Sequence, residues 1–359
     1  MNKDKLFGDL TFMKHLIKFI NSLIQLLVFF TLVNEVRASF DVFLEYYELE
    51  KTNALQLHQR LQNTTSVSFS FDKNSPRYLP SRSPSNSSFQ EDDTPFLFLI
   101  NSALTNKTNL TKLALYSLEL NDFKVWILCQ IIMQQDLQSL NIRNFKGLTG
   151  EYLTNLLESC KNNKNLSSLS LGYNNIKAEG AKHISQSGGF PNLTTLYISG
   201  NSIGAEGVKH ISQSKVFFNL TTLRLSGNNI GVEGAKHISQ SKGFSNLTTL
   251  YISGNKVGAE GAKHISQSRS FPNLTTLEIE YNDIRIEGAK HISQSGGFPN
   301  LTTLQVSGNS IGVEGAKYIS KSINFPKLTK LQIGYNNIGT EGIKALRESK
   351  TLAKVSIFT

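Results

Sequence analysis

GNSIGAEGVKHISQS occupies Gly200–Ser214, and near-copies return as GNNIGVEGAKHISQS from Gly227, GNKVGAEGAKHISQS from Gly254 and GNSIGVEGAKYISKS from Gly308. Each copy follows a short apolar segment of the type Leu193-Thr-Thr-Leu-Tyr-Ile198. A glutamate, a lysine and a histidine at fixed positions could be a row of functional groups or plain scaffold. The decision between the two sets both the fold and the place to look for function.

Working outward, the leucines that open these segments are Leu110, Leu137, Leu166, Leu193, Leu220, Leu247, Leu274, Leu301 and Leu328. Their spacing is 27 residues, except for 29 between Leu137 and Leu166, and a partial unit opens at Leu352. Each unit follows L-x-x-L-x-[L/I/V]-x-x-N-x-[I/V]-G-x-E-G-A-K. The asparagine falls at 174, 201, 228, 255, 282, 309 and 336, whereas the first two units carry Leu118 and Phe145 there. A fixed period of this length marks a stacked array of supersecondary units.

The pattern resembles the leucine-rich repeat proteins, in particular the ribonuclease-inhibitor-like type, over about 110–359. The resemblance implies an α/β solenoid, a horseshoe with a parallel concave sheet and convex helices. It also implies a non-enzymatic module that binds a protein partner on the concave face. The same repeat occurs in the Ran GTPase-activating protein, so a GTPase activator is the alternative function, and a stimulated GTP-hydrolysis assay separates the two.

The residues give a physical reason for each part of the unit. Period-two alternation points Leu196 and Ile198 inward and Thr195, Tyr197 and Ser199 outward. Asn201, where the chain leaves the strand, can satisfy buried backbone groups that no strand ladder reaches, and its copies should stack into an internal ladder. Gly204 supplies permissive backbone before a helix expected over Ala205–Ser214, and Glu206 suits its first turn. Val208 and Ile211 face inward, and Phe190, Phe217, Phe244, Phe271, Phe298 and Phe325 return to the core. Large apolar side chains contribute about 1.5–3 kcal/mol each when buried, and in one unit alone they stay exposed, so units must stack.

Lysine recurs at 182, 209, 236, 263, 290 and 317, and histidine at 183, 210, 237, 264 and 291. A metal site needs ligands converging on one point at about 2 Å. Copies on neighbouring helices, about 8–10 Å apart, fan outward instead. These columns are therefore read as solvent-facing scaffold, with no metal, no cofactor and no catalytic role.

If the copies are scaffold, variation marks specificity. The outward strand column runs Ala114, Asn141, Ser170, Tyr197, Arg224, Tyr251, Glu278, Gln305 and Gln332, while from Ser168 to Thr303 the column two positions earlier is nearly constant, a serine followed by Thr195, Thr222, Thr249, Thr276 and Thr303. Three units replace the glycine before the asparagine with Tyr173, Tyr281 and Tyr335. Tyrosine and arginine anchor interfaces. The candidate partner-binding residues are thus Tyr173, Tyr197, Arg224, Tyr251, Glu278, Glu280, Tyr281, Gln305, Gln332 and Tyr335. Tyr197, Arg224, Tyr251, Glu278, Glu280 and Tyr281 are expected to form one contiguous patch. Neutral drift in duplicated units is the competing reading.

Composition narrows the remaining classes. The formal charge is +10, yet the lysines spread along the repeats, so a nucleic-acid partner is not expected. Two cysteines, Cys129 and Cys160, allow no disulfide framework and read as structural. No GK dipeptide or HExxH occurs, which removes the P-loop and zinc-protease readings, and no small-molecule substrate is expected. Basic residues Lys3, Lys5, Lys14 and Lys18 precede the apolar run LIQLLVFFTLV at 23–33, and VRA follows at 36–38. Residues 1–38 therefore read as a secretory leader and the protein as exported. A membrane anchor through that segment, if uncleaved, and an ordinary amphipathic helix in a cytoplasmic protein are the alternatives. Next come a short helix over 40–62 and a Ser/Pro/Asn-rich linker over 63–93 expected to be disordered, then a cap over 94–109 that opens a repeat domain over 94–359. NLT or NLS sequons at 109, 165, 192, 219, 246, 273 and 300 are read as by-products of the repeat. Cysteine-rich caps are absent, which with the leader points toward a microbial effector.

Overall fold

The computed structural model describes residues 65–71, 110–188 and 190–359, together with Gln59, Leu97, Ile100, Asn101 and Leu104. The chain divides into two compact units, and all described residues belong to the one comprising Leu57–Asp72 and Gln90–Thr359. The expected leader, most of the 40–62 helix and most of the linker lie outside the described residues.

Strand and helix alternate along this unit. β1 (Ser66–Ser70) and β2 (Lys112–Tyr116) come first, then α1 (Asp122–Met133), β3 (Ser139–Arg143) and α2 (Gly150–Ser159). The regular units follow: β4 (Ser168–Ser170), α3 (Lys177–Gln186), β5 (Thr195–Tyr197), α4 (Gly204–Gln213), β6 (Thr222–Arg224), α5 (Gly231–Ser239), β7 (Thr249–Tyr251) and α6 (Gly258–Ser266). β8 (Thr276–Glu278), α7 (Arg285–Gln294), β9 (Thr303–Gln305), α8 (Gly312–Ser320), β10 (Lys330–Gln332), α9 (Gly339–Arg347) and β11 (Ser356–Phe358) complete the array. The strands form one parallel sheet in sequence order. Strands stack about 4.8 Å apart and helices about 8–10 Å apart, so such an array bends with its sheet on the inner side.

β1 corrects the sequence reading. Ser66–Ser70 was assigned to a disordered linker on composition, yet it pairs with β2 in register, Val67 opposite Leu113. Val67 and Phe71 are buried. The serines of S-V-S-F-S-F face away from the core, so a Ser-rich strand with one apolar face passes for a linker when only composition is weighed. Within the expected cap, Leu97, Ile100 and Leu104 are helical and fully buried, and Gln135 Nε2 donates to the Leu104 carbonyl at 3.2 Å.

The asparagines hold the turns. Asn228 Nδ2 donates to the carbonyls of Leu225 (2.8 Å) and Ile198 (2.9 Å), while its Oδ1 accepts from the Asn201 backbone N–H at 2.9 Å. The same links run Asn174–Asn201, Asn228–Asn255, Asn255–Asn282, Asn282–Asn309 and Asn309–Asn336 at 2.7–2.9 Å. At the N-terminal end the Phe145 N–H donates to Asn174 Oδ1 at 2.7 Å, and there the ladder stops. Phe145 and Leu118 are themselves buried and fill the column with carbon.

Two further ladders escaped the sequence reading. At the helix C-termini, the hydroxyls of Ser214, Ser241, Ser268, Ser295 and Ser322 donate to serine carbonyls 29 residues earlier at 2.6–2.8 Å. Where the strands begin, Thr194, Thr221, Thr248, Thr275 and Thr302 donate one unit back at 3.0–3.2 Å. The sequon residues Asn192, Asn219, Asn246, Asn273 and Asn300 also donate to a carbonyl of the preceding unit, at 2.8–3.0 Å. Asparagine and threonine of the NLT motif thus both have structural work, which supports reading it as part of the repeat.

Helix packing explains the invariant Glu-Gly. A Cβ at Gly207 would lie 2.7 Å from Ile203 Cβ and 3.1 Å from Ala181 Cβ in the neighbouring helix. Small residues let α3 and α4 approach closely. Val208, Ile211 and Phe217 then seal the core at no more than 1% exposure, with Leu196 and Ile198 opposite on the sheet.

Candidate functional site

The sheet face is set by the pleat. Leu223 points into the core with no exposure, so Arg224, one residue on, must point out. Parallel register then aligns the variable column: Tyr197 opposite Arg224, Arg224 opposite Tyr251, Tyr251 opposite Glu278, Glu278 opposite Gln305, and Gln305 opposite Gln332.

The side chains in this row engage one another. The Arg224 guanidinium carbon lies 3.5 Å from the ring centroid of Tyr251 and 4.9 Å from that of Tyr197. The cation is held between two aromatic faces. Gln305 Nε2 donates to Glu278 Oε1 at 2.7 Å. Burial pushes the Glu278 carboxyl up from its ordinary value, with Arg224 pulling it back down and Glu280 adding to the rise. Burial likewise raises the Tyr251 phenol.

Tyr173, Tyr281 and Tyr335 form a second row, just past the strand ends. Each adopts a positive φ, 61°, 52° and 55°, at the position where other units carry glycine. For a bulky residue this backbone costs on the order of 1 kcal/mol or more. The rings stand 53%, 59% and 86% exposed. Tyr173 leans over Gly200 and Tyr281 over Gly308: a Cβ on those glycines would come within 2.6 and 2.4 Å of the rings. Gly227 and Gly254 meet only neighbouring glycine backbone and stay uncovered beside the Tyr197–Arg224–Tyr251 trio. The result is a short floor without side chains, bounded on one side by the Tyr173 ring over Gly200 and on the other by Tyr281.

The structure thus brings together Tyr197, Arg224, Tyr251, Glu278 and Gln305, with Glu280 and Tyr281 along one margin and Tyr173 along the other. Gln332 and Tyr335 belong to the same rows, but Tyr335 lies two units beyond Tyr281. Sequence reasoning missed Arg143, whose guanidinium carbon lies 4.4 Å from the Tyr173 ring centroid, and Tyr116, whose hydroxyl accepts from Asn141 Nδ2 at 3.0 Å. Counting would have found Arg143: it stands six residues after Leu137, as Glu280 does after Leu274.

The helix side differs in character. The Glu-Lys pairs close at 2.8–3.2 Å in α3 to α6, and His183 and His210 approach the glutamate four residues earlier at 3.7 Å. The lysines and histidines of this column are partly exposed, with side chains 28–40% open to solvent. Among the described residues no cluster of three or more His, Cys, Asp or Glu could hold a metal ion. Both cysteines are unpaired; burial raises Cys129 and pushes Cys160 up to about 12, so neither thiol is a ready nucleophile. A crease of about 500 Å³ lined by Arg269, His291, Ser295 and Gly297 lies between adjacent helix C-termini. A similar crease at Ser214, Phe218 and His237 shows that these clefts come with the repeat. Among the described residues no helix is long and apolar enough to cross a membrane.

The family model described as Leucine Rich repeat matches residues 162–185, 191–212, 218–239, 245–266, 272–293, 299–320 and 326–346. The units opening at Leu110 and Leu137, which lack the ladder asparagine, fall outside these matches. No match emerged among curated proteins. Among solved structures 131 chains are similar. One belongs to the "Crystal structure of Rad7 and Elc1 complex in yeast", with 16% identity and a TM-score of 0.49; the alignment covers 71% of this chain and 64% of that one. The chain therefore spans less than two thirds of that solved chain's length.

Proposed function

We propose that this chain, a leucine-rich repeat solenoid, is a non-enzymatic module that takes a protein partner on the concave sheet face. The observation that carries this reading is the Tyr197–Arg224–Tyr251 sandwich, assembled in register on three adjacent strands. Rigid aromatic anchors around a partly desolvated arginine are the side chains that dominate binding energy at protein interfaces. The bracketed glycine floor beside them leaves room for a partner's backbone. Helices of nine to ten residues in every regular unit support the ribonuclease-inhibitor-like subtype.

The test compares captured proteins across variants. Y197S/Y251S should lose partners that K209S/H210S, on the helix side, retains. Equal retention by both variants would remove the sheet face from the account. The leader reading extends the proposal to an exported module, in keeping with a microbial effector. Sequencing the N-terminus of exported protein should find Ser39 first, and an intact Met1 there would contradict cleavage.

A further inference from the structure

Arg224 is unusual among the charged groups of the array. The repeated lysines of α3 to α8 each meet a glutamate on their own helix. The Arg224 guanidinium has no hydrogen-bond or ion-pair partner among the described residues, and its Nε is buried without one. The two tyrosine rings fix the plane of the guanidinium but accept none of its five N–H groups. A half-buried cation with its donors unspent is costly to leave so, and the cost falls away when an acceptor arrives. The fixed fork matches a planar oxyanion in two parallel hydrogen bonds.

The surroundings choose among oxyanions. Glu278 projects from the same face two strands away, about 10 Å from Arg224, with Glu280 two residues further along. Its Oε1 is held by Gln305. Two carboxylates at that distance oppose a dianionic phosphate more than a monoanionic carboxylate. They also offer a seat for a cation on the partner's other side.

We propose that Arg224 is the receiving site for one aspartate or glutamate side chain of the partner protein, clamped between Tyr197 and Tyr251, with a basic partner residue facing Glu278 and Glu280. The inference rests on the sheet-face binding reading above and gives that partner its chemistry: an acid and a base set about 10 Å apart.

The experiment selects ligands from a display library of randomised peptides on the immobilised full chain. The expected result is enrichment of Asp or Glu at one fixed position, with Lys or Arg at a second. Replacing that acid by Asn or Gln in the peptide should weaken binding tenfold or more to the wild-type chain. The same peptide change should cost less than twofold on R224L. R224K keeps the charge but loses the fork, and should sit between. The R224L comparison is read only on protein whose circular dichroism and melting match the wild type, because an unfolded chain would bind neither peptide; R224K, which keeps the charge, supplies the second comparison. Phosphoserine at the fixed position should bind more weakly than the carboxylate. Selected ligands that lack a fixed acid, that prefer phosphoserine, or that suffer equally on R224L would overturn the inference while leaving a sheet-face site standing. Ligands indifferent to every sheet-face substitution, or no enrichment at all, would overturn both.

Discussion

At the scale of single residues, two kinds of position have opposite duties. Asn228 is fully buried and serves three backbone groups of two units. Each group stranded without its partner costs about 1–3 kcal/mol, so N228A should lose roughly 3 kcal/mol or more in urea unfolding. A loss below about 1 kcal/mol would mean water or another group takes over. Glu278 makes a different prediction. Its carboxyl is raised by burial, so the folded chain holds this proton more tightly than the unfolded chain does. Ionising it costs stability as pH climbs from the ordinary value of 4.5 through the folded value. E278Q should therefore gain on the wild type across that window and hold a constant lead above it, as followed by melts at stepped pH. The asparagine duty was legible in the sequence because its spacing never slips. The serine ladder was not: Ser-Gln-Ser at a helix end looks like ordinary solvent-facing polarity, and its bonds run 29 residues back.

At the scale of elements, the glycine that follows the glutamate in each of α3 to α9 sets how near the next helix sits. Glycine to alanine ordinarily favours an exposed helix by about 1 kcal/mol. At Gly234 the added Cβ would meet Ile230 Cβ at 2.6 Å, so G234A should destabilise instead, by about 1–3 kcal/mol. A raised melting temperature would show that the helices can part. The Glu233–Lys236 pair, closed at 2.9 Å, lowers the Glu233 carboxyl mainly through that hydrogen bond. In K236Q, carboxyl carbon NMR should find Glu233 titrating higher, back toward 4.5, with the melting temperature unmoved. Element type and order were readable from the leucine, asparagine and phenylalanine columns. Boundaries shifted slightly, α4 starting one residue earlier than expected and β5 shortening to three residues. β1 was lost because composition outweighed its period-two pattern.

At the scale of the whole molecule, each unit touches chiefly its neighbours, so stability should be a sum over units and their interfaces. Deleting the 27 residues from Leu220 through Asn246 removes one period and rejoins like to like. Circular dichroism should still show a folded α/β chain that melts cooperatively at a lower temperature, whereas a 13-residue deletion within the same stretch should unfold its neighbourhood. The candidate surface was legible as a column of unlike residues but not as a shape. The Arg224 sandwich, the glycine floor and Arg143 beside Tyr173 depend on which rings lean over which neighbours, and no spacing rule states that. The central claim is that repetition builds the array and exception does the gripping. Its most direct test is a saturation scan of two columns, Asn174 to Asn336 and Tyr197 to Gln305, scored for protease resistance and for binding of peptide ligands selected on the wild-type chain. The account predicts that asparagine substitutions lose both properties, while substitutions in the Tyr197–Gln305 row keep resistance and lose binding. Substitutions in that row that unfold the chain as readily as the asparagines, or leave binding intact, would contradict it.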